Sequence, residues 1–162
     1  MGEHGAEYVI AWAAELGTGE DIVLSAVDID NLIRAKGAIY AGIAVMLDKA
    51  GISAQSIEEV LIGGAFGQHL NIEEAIQIGL FPDLPWEKFK YLGNTSVWGA
   101  YTVLLSRHAR LKAEEIASKM TYLELIADNS FMNEFTAALF LPHTKIESFP
   151  SVKKLLDKDA EE

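Results

Sequence analysis

An α/β layered domain is the fold class that this sequence predicts, on three observations. Half of the 162 residues are apolar, enough to build one buried core. Twice, a β-rich run ends in glycine and gives way to a helix start: Val60–Gly67 ahead of Asn71, and Phe89–Asn94 ahead of Thr95. Before both lies a long stretch with apolar residues at helical spacing, from Ile29 to about Lys49.

In chain order, Tyr8–Trp12 and Asp21–Leu24 read as two strands of a hairpin around the turn cluster Glu15-Leu16-Gly17-Thr18-Gly19. A strand rather than a helix start follows Gly-Thr-Gly, so a plain turn outweighs a phosphate loop there. Asp28 reads as the N-cap of the long helix. That helix has one small side (Ala35, Ala38 and Gly42, with Gly37, Ala41 and Ala44 beside it), which lets another backbone approach, and Gly51 ends it. Ile57–Ile62 reads as a buried strand entering the turn Gly63-Gly64-Ala65-Phe66-Gly67. Asn71 with Glu74 three residues on forms a capping-box pattern for a short helix that Gly79 ends. Phe89–Leu92 is a strand, Thr95 or Ser96 starts a helix through Leu105, and a charged helix spans about Lys112–Met120. Tyr122–Ile126 reads as a last strand and Phe131–Phe140 as a last helix before Pro142. The order is ββ-α-β-α-β-α-α-β-α, which points to an α/β arrangement.

Composition narrows the function. The net charge of −11 repels phosphate backbone, so no nucleic-acid partner is expected. No apolar run reaches the roughly 18 residues of a membrane span, and Met1-Gly2-Glu3-His4 carries no signal-peptide pattern. No membrane partner is expected, and cytoplasmic localisation is. The absence of cysteine excludes disulfides, thiolate nucleophiles and iron–sulfur ligation within this chain. His4, His69, His108 and His143 show no ligand spacing, so no metal site is expected. The acidic end Asp157–Glu162 reads as a solvated tail.

Three patterns can carry chemistry. In Gly63-Gly64-Ala65-Phe66-Gly67, paired glycines after a strand allow positive φ and clear side chains from a surface where a flat ligand can lie. The bland alternative is a tight strand–helix turn. Gly93-Asn94-Thr95-Ser96 has the same form, and exposed amides at the helix start suit an anion or a ribose hydroxyl; the alternative is an N-cap with glycine packing. Lys36, on an otherwise apolar and small helix, needs a partner or a snorkelling route. It lies against a purine or phosphate, or is a surface lysine. There is no P-loop, no Gly-x-Gly-x-x-Gly and no Ser/His/Asp set. The acids Glu58, Glu59, Glu73, Glu74, Glu114 and Glu115 read as solvated faces, so no catalytic residue is assigned.

The order of these pieces resembles the second lobe of the actin/heat-shock-chaperone/sugar-kinase (ASKHA) superfamily, an actin-like, ribonuclease H-like ATPase lobe with a mixed sheet flanked by helices. Ile57–Gly67 resembles its adenosine turn, and Leu32–Lys36 the helix over the adenine, with Lys36 where the chaperones place a nucleoside-contacting lysine. Gly37 replaces the usual basic neighbour. Ala65 and Gly67 stand where the chaperones have Ser and Arg, so the resemblance carries over only backbone contacts there. The set Lys36, Gly63, Gly64, Ala65, Phe66, Gly67, Gly93 and Asn94 is what it implies for cofactor binding.

The chain is more narrowly similar to the C-terminal region of the corrinoid-activating ATPases. The shared pieces, in order, are Asp28-Ile29, Ala35–Ile39, Gly63–Gly67, Ala75–Pro82, Gly93-Asn94, and Tyr122–Leu125 followed by Phe131 and Phe135. That family implies ATP-dependent return of a cobalt(II) corrinoid to cobalt(I), with ATP or ADP and Mg in the parent protein. A [2Fe–2S] ferredoxin-like domain is implied in the parent only. The partner is a corrinoid protein or corrinoid-dependent methyltransferase, or a second copy in a homodimer. The Asp-x-Gly phosphate loops are missing as well as cysteine, so the resemblance implies a fragment that does not hydrolyse ATP alone. Residues 1–145 are expected to form the nucleotide-binding lobe and 146–162 an acidic tail. Two alternatives stand beside this reading: an interaction module that docks the corrinoid protein or dimerises, and half of a sugar- or acetate-kinase-like phosphotransferase.

Overall fold

The computed structural model describes residues 6–17, 19–125 and 129–159. Strands β1 (Glu7–Ala11) and β2 (Ile22–Ser25) pair antiparallel, Tyr8 opposite Leu24 and Val9 opposite Val23, as the hairpin reading expects. Their connection holds one helical turn, α1 (Ala13–Leu16), ended by Gly17 at φ 67. Asp21 Oδ1 accepts from Ala13 N–H at 2.7 Å. Thr18, the centre of Gly-Thr-Gly, lies outside the described residues.

Helix α2 (Ala26–Ala50) starts earlier than expected, and Asp28 is not its N-cap. Ser25 is. Its hydroxyl accepts from Asp28 N–H at 3.2 Å, and the Asp28 carboxylate accepts from Ser25 N–H at 2.9 Å. A reciprocal box satisfies two helix-end donors where a lone aspartate cap satisfies one, so the helix begins directly where β2 stops. Gly51 ends it at φ 65, donating to Asp48 O. Helix α2 packs on α6 (Asn129–Ala137) and its C-terminal continuation, but not through the expected side of Ala35, Ala38 and Gly42: Ala35 and Ala38 are exposed, and a Cβ at Gly42 would meet nothing within 4 Å. The positions beside it are the buried ones, Gly37, where a Cβ would stand 3.3 Å from Ala138 O, and Ala41, fully buried like Ala138.

Strand β3 (Val60–Gly63) and β4 (Phe89–Gly93) are parallel, with Val60 opposite Phe89 and Ile62 opposite Tyr91. The crossover between them carries α3 (Ile72–Gln77). Parallel neighbours need such a connection, which makes the class α/β. Parallel and antiparallel pairings both occur, in two separate two-stranded sheets among the described residues. Asn71 caps α3 by accepting from Glu73 N–H and Glu74 N–H at 3.1 and 3.4 Å. We expect Asn71→Ala to remove about 1 kcal/mol and lower Tm by roughly 2–4 °C in calorimetry. An unchanged Tm would mean that those amides find other acceptors.

Helix α4 (Thr95–Leu105) is followed at once by α5 (Arg107–Lys119), where Ser106 caps by accepting from Ala109 N–H. The expected strand at Tyr122–Ile126 is not formed at Tyr122–Leu125, and Ile126 lies outside the described residues. The run is β-rich, but β propensity expresses a neighbour to pack on, and Tyr122 is exposed. Helix α6 stops three residues before Phe140, because the chain turns there to aim carbonyls back at α2.

Packing continues past residue 145. A turn at Ile146–Ser148 leads into α7 (Pro150–Asp159), and Phe149 and Val152 are core residues. Asp83 holds the start of α7 by accepting from Ser151 N–H at 2.7 Å and Ser151 Oγ–H at 2.8 Å. The acidic charge of 157–162 hides this apolar run from a reading by composition; 160–162 lie outside the described residues. The core joins Tyr40 of α2, Ile72, Ala75 and Ile76 of α3, Phe81, Leu84, Phe89, Ala138, Phe149 and Val152. Among the described residues no helix is long and apolar enough to cross a membrane.

Candidate functional site

The two glycine turns lie side by side because their strands are paired. Gly63 is registered opposite Gly93, and Gly64 N–H donates to Gly93 O at 2.7 Å. Gly64 sits at φ 105 and Gly93 at φ 67, where a β-carbon is strained. The glycines differ in what surrounds them. A Cβ on Gly63 would stand 2.6 Å from Thr95 Oγ1, and one on buried Gly67 would overlap the Ile62 side chain. A Cβ on Gly64 would meet nothing within 4 Å. Gly63 and Gly67 are therefore set by packing, whereas Gly64 borders open space.

Around that opening, Ala65, Phe66 and Asn94 are exposed, Phe66 to 79%. The Asn94 side chain is engaged, accepting from Val97 N–H at 3.2 Å as the cap of α4. The Tyr91 hydroxyl donates to Leu70 O and ties β4 to the end of the Gly67–His69 turn. Seven of the eight expected site residues, Gly63 to Gly67 with Gly93 and Asn94, are thus brought together on one rim. The surface is free of side chains at Gly64 and flanked by an exposed aromatic ring. Those are features a flat, apolar-faced ligand group can use.

Lys36 belongs to another set. It is fully buried, so it is not a surface lysine, and its amine has no exposed area to offer a ligand. The Nζ donates to Phe140 O and, at 2.7 Å, to Pro142 O. Burial pushes its pKa down to about 8. Its partners lie more than 100 residues downstream, where helix periodicity carries no information about them.

The residues that sequence reasoning missed cluster beside that amine. The buried His143 accepts at Nδ1 from Lys145 N–H at 3.0 Å. Its Nε2 lies 3.3 Å from Glu134 Oε1 without an aligned hydrogen bond. Burial lowers the His143 pKa against the opposing pull of the Glu134 carboxylate. The Tyr40 ring stands 5.2 Å from the imidazole, and burial, with Glu134, pushes the Tyr40 phenol up to about 12. This is a packed polar layer, and no reacting groups converge on a free surface there. The solvated reading of the acids fits Glu59, which pairs with Lys90, and Glu115, whose carboxyl pKa Lys119 and then Lys112 lower. Among the described residues no three His, Asp or Glu side chains could hold a metal. A groove of about 570 Å³ between α3, Trp86 and α7 lies away from the glycine turns and gathers no catalytic set.

Comparison with known proteins adds to this geometry. Residues 1–153 match the family described as the C-terminal domain of RACo, the ASKHA domain. A solved structure of a reductive activator for corrinoid, iron-sulfur protein superposes with a TM-score of 0.87 at 52% identity. It covers 93% of this chain and 24% of its own. The corrinoid activation enzyme RamQ of Eubacterium limosum is 31% identical over 79% of this chain and 22% of its own length. A [Co(II) methylated amine-specific corrinoid protein] reductase of Methanosarcina barkeri is 28% identical over 75% of this chain and 23% of its own. The chain spans about a quarter of the length of each.

Proposed function

Because the chain belongs to the family of RACo C-terminal ASKHA domains, we propose that it forms the adenosine side of a nucleotide cleft in an ATP-dependent reductive activator of corrinoid proteins. The observation that carries this reading is the pair of stitched glycine turns with open space at Gly64. A purine can lie against main chain only where no Cβ intervenes, and Gly64 is such a place. Gly63, Ala65, Phe66 and Gly67 frame one side of that surface, and Gly93 and Asn94 the other. Contacts there are made by backbone groups and by the exposed face of Phe66. Lys36 supports the lobe from inside instead of touching the ligand, since its amine is occupied by two carbonyls.

The phosphate side of the cleft and its Mg belong to other parts of a family-length polypeptide. So does the [2Fe–2S] group that would pass one electron to cobalt(II), giving cobalt(I). This chain holds neither cysteine nor phosphate loops. The partner in this reading is a corrinoid protein, and ATP supplies the free energy for an uphill reduction.

The test uses a chimera in which this chain replaces the matching quarter of the solved reductive activator. The expected result is ATP-dependent formation of the cobalt(I) absorbance on a cobalt(II) corrinoid protein. We expect Gly64→Val in that chimera to weaken ADP binding at least 10-fold by calorimetry. A β-branched side chain at φ 105 is strained and projects into the opening. An unchanged dissociation constant in a folded variant would sink the adenosine-turn assignment. Cobalt(I) formation that ignores nucleotide would favour a role as a docking module only.

A further inference from the structure

The groove between α3, Trp86 and α7 has no part in the site at the glycine turns. Ile76 and Leu84, both buried, form its floor, and Trp86, 63% exposed, and Leu155, 42% exposed, form its rims. An exposed tryptophan beside a buried apolar floor is the kind of anchor on which protein contacts concentrate. On α7, Ser151, Lys154, Leu155 and Lys158 recur at helical spacing and share the face that lines the groove, so both lysines stand along one wall. Lys154, Leu155 and Lys158 lie past residue 153, where the family match ends.

The charges on that wall are unmatched. Elsewhere on the surface Arg34, Lys90, Lys112 and Lys119 each pair with an acid. Among the described residues Lys154 and Lys158 pair with none, in a chain whose net charge is −11. Two acids line the groove as well. Asp83 is occupied by Ser151 at the start of α7, and Glu73 lies in the first turn of α3, where the helix N-terminus favours a carboxylate. The shape selects the backbone of an occupant. From Pro150 to Lys158 the α7 wall is about 12 Å long at 1.5 Å per residue, or two helical turns. No strand edge lines the groove, and Pro85 and Pro150 have no N–H, so an extended segment would find no ladder for its main chain. A helix satisfies its own. The exposed helices α4 and α5 of a second copy do not fit: α4 carries no charge, and α5 opens on Arg107 and Arg110, which the lysines repel.

We infer that this groove docks an acidic amphipathic helix of a partner protein, about two turns of it, with two apolar side chains four residues apart and carboxylates beside them. The apolar pair fills the slot between Trp86 and Leu155 over Ile76 and Leu84. The carboxylates reach Lys154 and Lys158, which gives charge-assisted hydrogen bonds. A contact of this size belongs to the small, transient class of interfaces. It does not depend on nucleotide binding at Gly64.

The probe is a capped alanine-based peptide of about 16 residues, long enough to be helical, with two leucines four apart and glutamates on both flanks of that stripe. Calorimetry should show saturable 1:1 binding, with a dissociation constant in the micromolar range, to the 162-residue chain and to the chimera alike. The same peptide with glutamine in place of glutamate should bind at least 10-fold more weakly. Lys154→Glu combined with Lys158→Glu should weaken the glutamate peptide at least 10-fold, and a lysine version of the peptide should recover that affinity on the charge-reversed variant. Trp86→Ala should weaken binding by a similar factor. All three side chains are exposed, so circular dichroism of both variants should match the wild type. Binding to the isolated chain but not to the chimera would overturn the inference in favour of an internal cover. Equal affinity for the glutamate and glutamine peptides, or charge reversal without effect, would overturn the acidic partner. A dimer in light scattering that the peptide dissociates would assign the groove to a second copy instead, and no binding to either protein would overturn the inference outright.

Discussion

Replacing Gly79 with alanine is expected to destabilise the chain by about 3 kcal/mol or more, a large effect for a single methyl group. Two terms add. Gly79 sits at φ 75, where a Cβ costs roughly 1 kcal/mol or somewhat more. The added carbon would also stand 2.8 Å from Pro142 C and closer still to the Pro142 carbonyl oxygen. Both are backbone atoms that cannot swing aside as a side-chain end can. The same oxygen accepts from Lys36 Nζ at 2.7 Å, so moving it breaks a buried hydrogen bond. Gly51→Ala separates the two terms. Gly51 has a similar φ of 65, and a Cβ there meets nothing within 4 Å, so only the conformational term applies. Urea denaturation of both variants measures the difference directly. If Gly79→Ala cost no more than Gly51→Ala, the segment around Pro142 would be free to move.

How much of this was legible depends on the range of each signal. Gly51, Asn71 and the two strand–glycine–helix passages are written within a few residues, and the fold places them as read, except that the first strand begins at Val60 rather than Ile57 and is not buried, with Leu61 exposed. The cap of α2 lies three positions before Asp28. Ser25 and Asp28 are both good capping residues, and only the end of β2 decides which holds the end. Tyr122–Leu125 has strand composition without a strand, because pairing depends on a neighbour that composition does not name. At the candidate site the glycines could be recognised but not sorted. Only the placement of Thr95 and Ile62 separates packing glycines from Gly64, which faces open space. Lys36 was conspicuous for its apolar helix, yet its partners are two carbonyls from a turn more than 100 residues away. Phe149 and Val152 were masked by the charges that follow them.

Lys36→Met should then cost a few kcal/mol and change the pH dependence of stability. Methionine keeps most of the side chain's length and removes the donor. The Pro142 carbonyl is left buried without a partner and the Phe140 carbonyl partly so, at about 1–3 kcal/mol for a fully buried group. Burial works in the opposite sense on the wild-type charge, lowering the Lys36 pKa from 10.5 to about 8. Between those two values the unfolded chain holds a proton that the folded chain has released. Stability from this group therefore rises as pH goes from about 8 toward 10.5, and is level below 8, where both states are protonated. Tyr40 acts the other way, but only above pH 10: its folded pKa is raised to about 12, so the folded state keeps a proton that the unfolded one loses. The window from pH 8 to 10 is thus the one in which Lys36 can be read. Urea midpoints at pH 7, 8.5 and 10 should show wild-type stability gaining on Lys36→Met across the series, with the variant lower throughout. Parallel profiles would mean that the amine keeps an ordinary pKa and open access to water. Equal stability at pH 7 would mean that the two carbonyls do not depend on it. Combined with Gly79→Ala, the losses should be less than additive, because both changes release the same Pro142 carbonyl from its place against α2.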